Sequence, residues 1–321
     1  MPPRARFPTV SPRTYRALTV FALAALAFIV LSGAAVRLTG SGLGCSEWPN
    51  CEPGSLVPRG ESTHHDWIEF VNRTITGLVS VAIALAVLGA HRRRPRRRDL
   101  VRISWGLVAG LVAQIVLGGL TVIFDLWPPL VMGHFLLSMV ALWNALWLHH
   151  RAGEPDGVRV PAAPAAVVPW VRGVVACTAV VVFLGTVVTA SGPHAGDADV
   201  DRLGPDLPDV ARLHGIAVVI LLLVLAGTLR AVRDPATPAP LAATVRMLLF
   251  ALLAQGAIGY VQYFSGVPAG LVEVHVGGAI VVWLLALRAS LLLHTRPSDA
   301  TTPTSPSPDP RARVGATATL R

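Results

Sequence analysis

Lysine is absent from this chain, charge of either sign is scarce, and cysteine nearly so. All 27 basic residues are arginine, the mark of a GC-rich genome, which says nothing about function. Charged residues make up only 14% of the 321 positions against 53% hydrophobic ones. The apolar residues run in long unbroken blocks instead of a 3.6-residue stripe, which excludes a soluble domain. The interiors of those blocks lack charge, which argues against a transporter with ion sites at mid-membrane. Of the three cysteines, Cys177 falls inside a block and reads as packing. Cys45 and Cys51 have no matching pair later in the chain, which argues against a structural zinc site.

What is present is a set of membrane spans. A bilayer core of roughly 30 Å needs about 20 apolar residues in a helix. Eight such blocks occur, at about 15–37, 68–90, 101–124, 130–148, 170–190, 211–229, 241–263 and 271–293. The first is too long for a signal-peptide core and is read as a helix. A net charge of +9 could suit nucleic acid, but the arginines form no single stripe and gather at alternate span ends. Arg4, Arg6, Arg13 and Arg16 lie before or at the first span, and HRRRPRRRDLVR separates the second from the third. Arg151, Arg159, Arg230, Arg233, Arg246, Arg296, Arg311 and Arg313 continue the pattern, whereas the loop around 197–209 is acidic. The positive-inside rule then places both termini in the cytoplasm, which requires an even number of spans.

An internal repeat organises the spans. AQIVLGGLTVIFDLWPPLVMGHF from Ala113 aligns without gaps on AQGAIGYVQYFSGVPAGLVEVHV from Ala254. Gln114 matches Gln255, Gly118 matches Gly259, and His134 matches His275, at an offset of 141 residues (275 against 134). One helix earlier, Asn72 falls opposite His214. Four spans per half is an even number, so both halves enter the membrane in the same direction, related by an axis along its normal. The expected fold is therefore an all-α integral membrane protein of eight transmembrane helices in two pseudo-twofold related four-helix bundles. Its expected organisation is an N-terminal segment 1–14, a first half 15–148 with an outer loop 38–66, a linker 149–169, a second half 170–293 and a disordered cytoplasmic tail 294–321.

The ten histidines sort by location. His91, His149, His150 and His294 lie beside arginines at cytoplasmic span ends, and His64, His65 and His194 lie in outer loops. His134, His214 and His275 instead stand near the outer ends of apolar spans, where an ionisable side chain is costly and turns to a bundle interior. His214 and His275 start the sixth and eighth spans at similar depth. They suit axial ligation of a haem between facing helices, with its propionates toward the outer water. The first half offers His134 but has Asn72 in the partner position, so its site is open or differently ligated. Glu69, on the same helix face as Asn72, reads either as a proton-handling carboxylate or as an interfacial residue. Cys45 and Cys51 favour a disulfide outside the membrane, either merely structural or redox-active toward a thiol–disulfide carrier. Arg37, Arg73 and Arg212, at outer span ends, suit either propionate pairing or interfacial anchoring.

AVRLTGSGLGCSEWPNC, IEFVNR, GGLTV with a downstream GHF, and ASGPHAG together resemble the haem A synthase family over about 15–293. The resemblance implies a membrane enzyme that oxidises the C8 methyl of haem O to a formyl group, through successive oxidations and loss of water from a hydrated aldehyde. It implies a haem b cofactor between His214 and His275, and a substrate haem in the first half. There the family pattern is Glu-x-x-His-Arg on the second span and a histidine on the fourth. Glu69, Arg73 and His134 match that pattern, and Asn72 stands in place of the histidine. The same resemblance assigns the oxidation's carboxylate to Glu69 and an outer disulfide to Cys45 and Cys51. Its implied partners are haem O, a haem O synthase, terminal oxidase assembly factors and the lipid of the cytoplasmic membrane, with no nucleic acid. The competing expectation is a non-catalytic haem b protein that transfers electrons or carries haem.

Overall fold

The computed structural model describes residues 9–59, 63–197 and 199–297. Arg4, Arg6, Arg311, Arg313 and the expected tail beyond 297 lie outside the described residues. Among those described, eight helices are long and apolar enough to cross a membrane. They are α1 (Pro12–Leu38), α2 (His64–Arg92), α3 (Arg98–Ile123), α4 (Pro128–Gly153), α5 (Val168–Ser191), α6 (Leu207–Ala231), α7 (Ala239–Phe264) and α8 (Ala269–Leu291). Even α8, the shortest at 23 residues, is about 34 Å long at 1.5 Å per residue, enough for the hydrocarbon core.

The helices run past the apolar blocks because hydrogen bonding continues where hydropathy stops. Proline occupies the first turn of α1, α4, α5, α6 and α7, where its missing N–H costs nothing and its φ suits the helix. The start of α2 is set by Asp66, whose carboxylate accepts from Thr63 N at 2.7 Å. That cap carries the helix back over His64 and His65, which were expected in a loop and instead form its first turn. At the other end of α4, Arg151 binds Glu154 and Asp99, each at 2.5 Å, and Arg97 also grips Asp99 at 2.6 Å. This network, with both arginines buried and Asp99 partly exposed, ties the α2–α3 loop and the start of α3 to the end of α4, five residues beyond the last leucine of that block.

The expected tail also begins later than its composition suggests. A short strand β1 (Val160–Pro161) pairs antiparallel with β2 (His294–Thr295). Ala162 N donates to Leu293 O at 2.9 Å, and Arg296 Nη1 to Gly157 O at 3.0 Å. Arg159 donates to His294 Nδ1 at 2.9 Å, and slight burial together with the charges of Arg159 and Arg172 holds that imidazole below its ordinary pKa. Composition could not reveal this because the partner strand lies in the linker more than a hundred residues away.

Within each half the helices form a ring in chain order. α1 packs on α2, α2 on α3, α3 on α4 and α4 on α1, and α5 to α8 repeat the cycle. α2 and α4 therefore stand diagonally, as do α6 and α8, with no extensive packing between the members of either pair. The halves meet through α4 on α8, α1 on α8 and α4 on α5, a set compatible with a pseudo-twofold relation. Each half has its own apolar core, one around Leu100, Leu107 and Leu142, the other around Leu221, Leu225 and Leu248. Trp283 of α8 enters the first core and donates to Met139 O at 3.0 Å. Outward-facing residues such as Phe28, Leu223 and Phe250 are exposed, as a lipid solvent requires.

The repeat extends into backbone conformation. At the α3–α4 turn Asp125 and Leu126 have φ of 46° and 56°; at the α7–α8 turn Gly266 and Val267 have 79° and 58°. Leu126 N bonds Thr121 O and Val267 N bonds Gln262 O, both at 2.8 Å, again at the offset of 141 residues (267 against 126). A left-handed valine is unfavourable by itself, so its occurrence at the equivalent position marks one turn built twice.

Candidate functional site

His134, His214 and His275 each lie against a glycine of the neighbouring helix. A Cβ built on Gly118 would lie 3.1 Å from His134 Cε1, one on Gly259 3.1 Å from His275 Cε1, and one on Gly185 3.4 Å from His214 Cε1. The glycines let each imidazole sit close to a helix backbone. Two glutamines complete the arrangement: Gln114 Nε2 donates to His134 O at 3.2 Å and Gln255 Nε2 to His275 O at 2.5 Å. The matched Gln, Gly and His of the repeat are thus one three-part packing unit, used twice. Its glutamines and glycines, and Gly185 as well, carried no assigned role in the sequence; repetition in register with a histidine was the signal that marked Gln and Gly.

The Nδ1 atoms of all three rings are buried without a hydrogen-bond partner. The backbone of Val181 approaches His214 without the geometry of a full bond to that nitrogen. Buried polar atoms ordinarily find partners, so these three orphan nitrogens set the rings apart from ordinary packed histidines. Imidazoles on the diagonal helices α6 and α8, and one on α4, each backed by a glycine, are the residues here that could hold an iron porphyrin.

Asn72 does not resemble its counterpart His214. Its Oδ1 accepts from Ser32 Oγ of α1 at 2.7 Å. His65 is likewise engaged, with Nδ1 2.9 Å from Ser41 Oγ. His64 is exposed, its ring 3.9 Å from that of His65.

Glu69 and Arg73 face the loop between α1 and α2. Cys45 and Cys51 form the disulfide expected of them, and both are buried. The Glu69 carboxylate, 5% exposed, accepts from Cys45 N at 2.7 Å through Oε2 and from Arg73 at 2.6 and 3.0 Å through Oε1. Arg73 also donates to the carbonyls of Glu47 and Asn50, at 3.1 and 2.8 Å. The pair is a latch that clamps the disulfide loop from both sides, and its charge-assisted bonds are the strong kind. Trp48, at the loop tip, lies over Gly119, where an added Cβ would come 2.7 Å from the indole. Gly118 therefore admits His134 while its neighbour Gly119 admits the loop.

Arg37 donates to Thr189 O at 2.9 Å, and Arg212 makes an exposed pair with Asp209 at 3.3 Å. Glu273, two residues before His275, has a buried Oε2 without a partner. The repeat places Met132 at its equivalent position, so it belongs to the second half alone.

The tightest backbone contact of the loop is at Gly44. A Cβ there would lie 2.4 Å from His65 O and 2.6 Å from its carbonyl carbon. Helix backbone cannot yield as a flexible side chain can. Gly44→Ala is expected to lift the loop off α2 at a cost of about 1–3 kcal/mol, the usual range for overpacking. Faster reduction of Cys45–Cys51 by an added thiol would reveal it; an unchanged rate would show that the loop tolerates the methyl group.

These features define a multi-pass helical membrane protein whose two four-helix halves each set a histidine ring against a glycine of the neighbouring helix. The profile of the cytochrome oxidase assembly protein family (COX15-CtaA) matches residues 16–196, more than half of the sequence, and the chain belongs to that family. The matched residues include the disulfide loop, Glu69, Asn72, Arg73 and His134; His214 and His275 lie beyond them. A protein named Heme A synthase from Lysinibacillus sphaericus is 34% identical over 145 residues, 44% of this chain and 47% of that relative. Proteins of the same name from Alkalihalophilus pseudofirmus and Bacillus licheniformis are 31% identical over 137 residues and 27% identical over 145. Those two alignments cover 42% and 45% of this chain, and 45% and 47% of the relatives. The chain spans about half the length of the relatives it matches.

Proposed function

We propose that this protein is a haem A synthase, which oxidises the C8 methyl of haem O to a formyl group for use in a terminal oxidase. The observation that carries the reading is the Gln–Gly–His unit built twice, each histidine with a buried orphan nitrogen. Membership of the cytochrome oxidase assembly family supports it.

In this reading His214 and His275 hold a haem b in the second half, and Gly185 and Gly259 set how deeply the two imidazoles sit. When bound, that haem supplies one-electron transfer. His134 holds the substrate haem O in the first half, with Asn72 on the opposite helix. Glu69 places a carboxylate at the same end of α2, and Arg73 serves the site by fixing the loop that covers it. The Cys45–Cys51 loop faces the outer side, where a thiol–disulfide carrier reaches the buried disulfide only once the loop loosens, and the arginine-rich ends face the cytoplasm. A haem O synthase and oxidase assembly factors are the corresponding partners.

The test is expression in a host that makes haem O but lacks its own haem A synthase, followed by extraction and chromatography of the haems. Haem A is expected only when the chain is present. Haem b bound to the protein with haem O left unconverted would overturn the enzymatic assignment in favour of a haem carrier.

A further inference from the structure

The position opposite His134 is occupied by an asparagine with surroundings of its own. Aligning the sequence at the end of α1 with that at the end of α5 matches Gly33 with Gly185, Val36 with Val188 and Gly40 with Gly192, an offset of 152 residues (185 against 33). Ser32 then falls on Leu184. In the second half the leucine can donate nothing, and the histidine packs on Gly185. In the first half Ser32 Oγ lies 2.7 Å from Asn72 Oδ1 and 3.2 Å from Ile29 O, and its single proton goes to the nearer acceptor, Asn72 Oδ1. Serine and asparagine thus occur together where the other half has leucine and histidine.

The chemistry of an amide gives this pair a consequence. Oδ1 is the one atom through which asparagine could bind iron, and its hydrogen bond to α1 engages it. The planar group then turns its NH2, two donors and no acceptor, to the side away from Ser32. That NH2 has no acceptor among the described residues. His134 across the ring of helices has no hydrogen bond from its own ring among the described residues.

Resting on the reading that His134 holds a haem, we infer that the first-half site receives one axial ligand from the protein and keeps the opposite side open. Asn72 Nδ2 is there the hydrogen-bond donor for a small exogenous ligand with an acceptor atom. Ser32 is a positioning residue: it prevents Oδ1 from competing for iron and fixes which end of the amide faces the open side.

Carbon monoxide on the reduced, haem-loaded full-length protein probes this directly, because a bis-histidine haem in the second half does not take it up. The unaltered protein is expected to form a carbonyl adduct. Asn72→His is expected to abolish the adduct and add a second low-spin signature. Asn72→Leu retains the adduct but moves the C–O stretch to higher frequency, as loss of a donor requires. Ser32→Ala keeps its amount and broadens or splits the band. The low-spin spectrum of the second half, unchanged throughout, reports that each variant is folded. An unaltered protein that takes up no carbon monoxide overturns the inference, as does an Asn72→Leu band at the original frequency or an Asn72→His variant with full uptake. His134→Ala separates the two levels: it should remove the adduct, and an adduct that survives it overturns the placement of haem at His134 itself.

Discussion

Purified His275→Ala protein is expected to lose the low-spin haem b spectrum completely while remaining folded. The ring of His275 makes no hydrogen bond among the described residues, and it packs against the bare backbone at Gly259. The bond that joins α7 to α8 here runs from Gln255 to the backbone carbonyl of His275, which alanine keeps. Truncation therefore removes the proposed ligand without removing the Gln255 bond between the two helices. His214→Ala should behave alike, since Gly185 backs that ring in the same way. His134→Ala should leave the low-spin signal in place, because it lies in the other half. Visible spectroscopy and haem content of the three variants decide the assignment, and a His275→Ala protein with unaltered spectrum and haem content would falsify it.

The second large effect concerns the latch. Glu69→Ala leaves Arg73 without its carboxylate and Cys45 N without its acceptor, at a site where Glu69 is 5% exposed. Removing one partner of a buried ion pair costs roughly 3–5 kcal/mol. The Arg73 side chain is 23% exposed, so water recovers part of that loss and about 3 kcal/mol is expected. The loop should loosen, and the buried Cys45–Cys51 bond should be reduced much faster by a soluble thiol. Arg73→Ala should do the same and in addition free the carbonyls of Glu47 and Asn50. Unchanged reduction rates in both variants would show that Trp48 and the Gly44 contact hold the loop without the latch. A Glu69 variant that fails to convert haem O while its loop stays protected would isolate a direct chemical role for the carboxylate.

Much of the architecture was legible because a bilayer imposes a simple rule. Each crossing needs a long apolar block with all backbone bonds satisfied inside it, so eight blocks translate into eight helices. The register of the repeat was equally legible, since the Gln114, Gly118 and His134 series recurs without a gap. Helix ends were less so. His64 and His65 enter α2 through a cap, and α4 runs on to Gly153 because an ion-pair network accepts its charged end; neither depends on hydropathy. The start of the tail was misplaced because a two-residue strand depends on a partner in the linker.

By itself, then, the sequence determined the number of spans, their pairing into two like halves, the candidate histidines and the departure at Asn72. Those properties follow from composition, length and period, which act locally along the chain. Only the tertiary structure decided that Glu69 and Arg73 close on the disulfide loop, that glycines back the histidines, and that Ser32 hydrogen-bonds the Asn72 amide. Each of these joins residues on different helices or on a helix and a loop. Hydrogen bonds and sub-4 Å packing depend on where side chains meet in space, and no one-dimensional period records that.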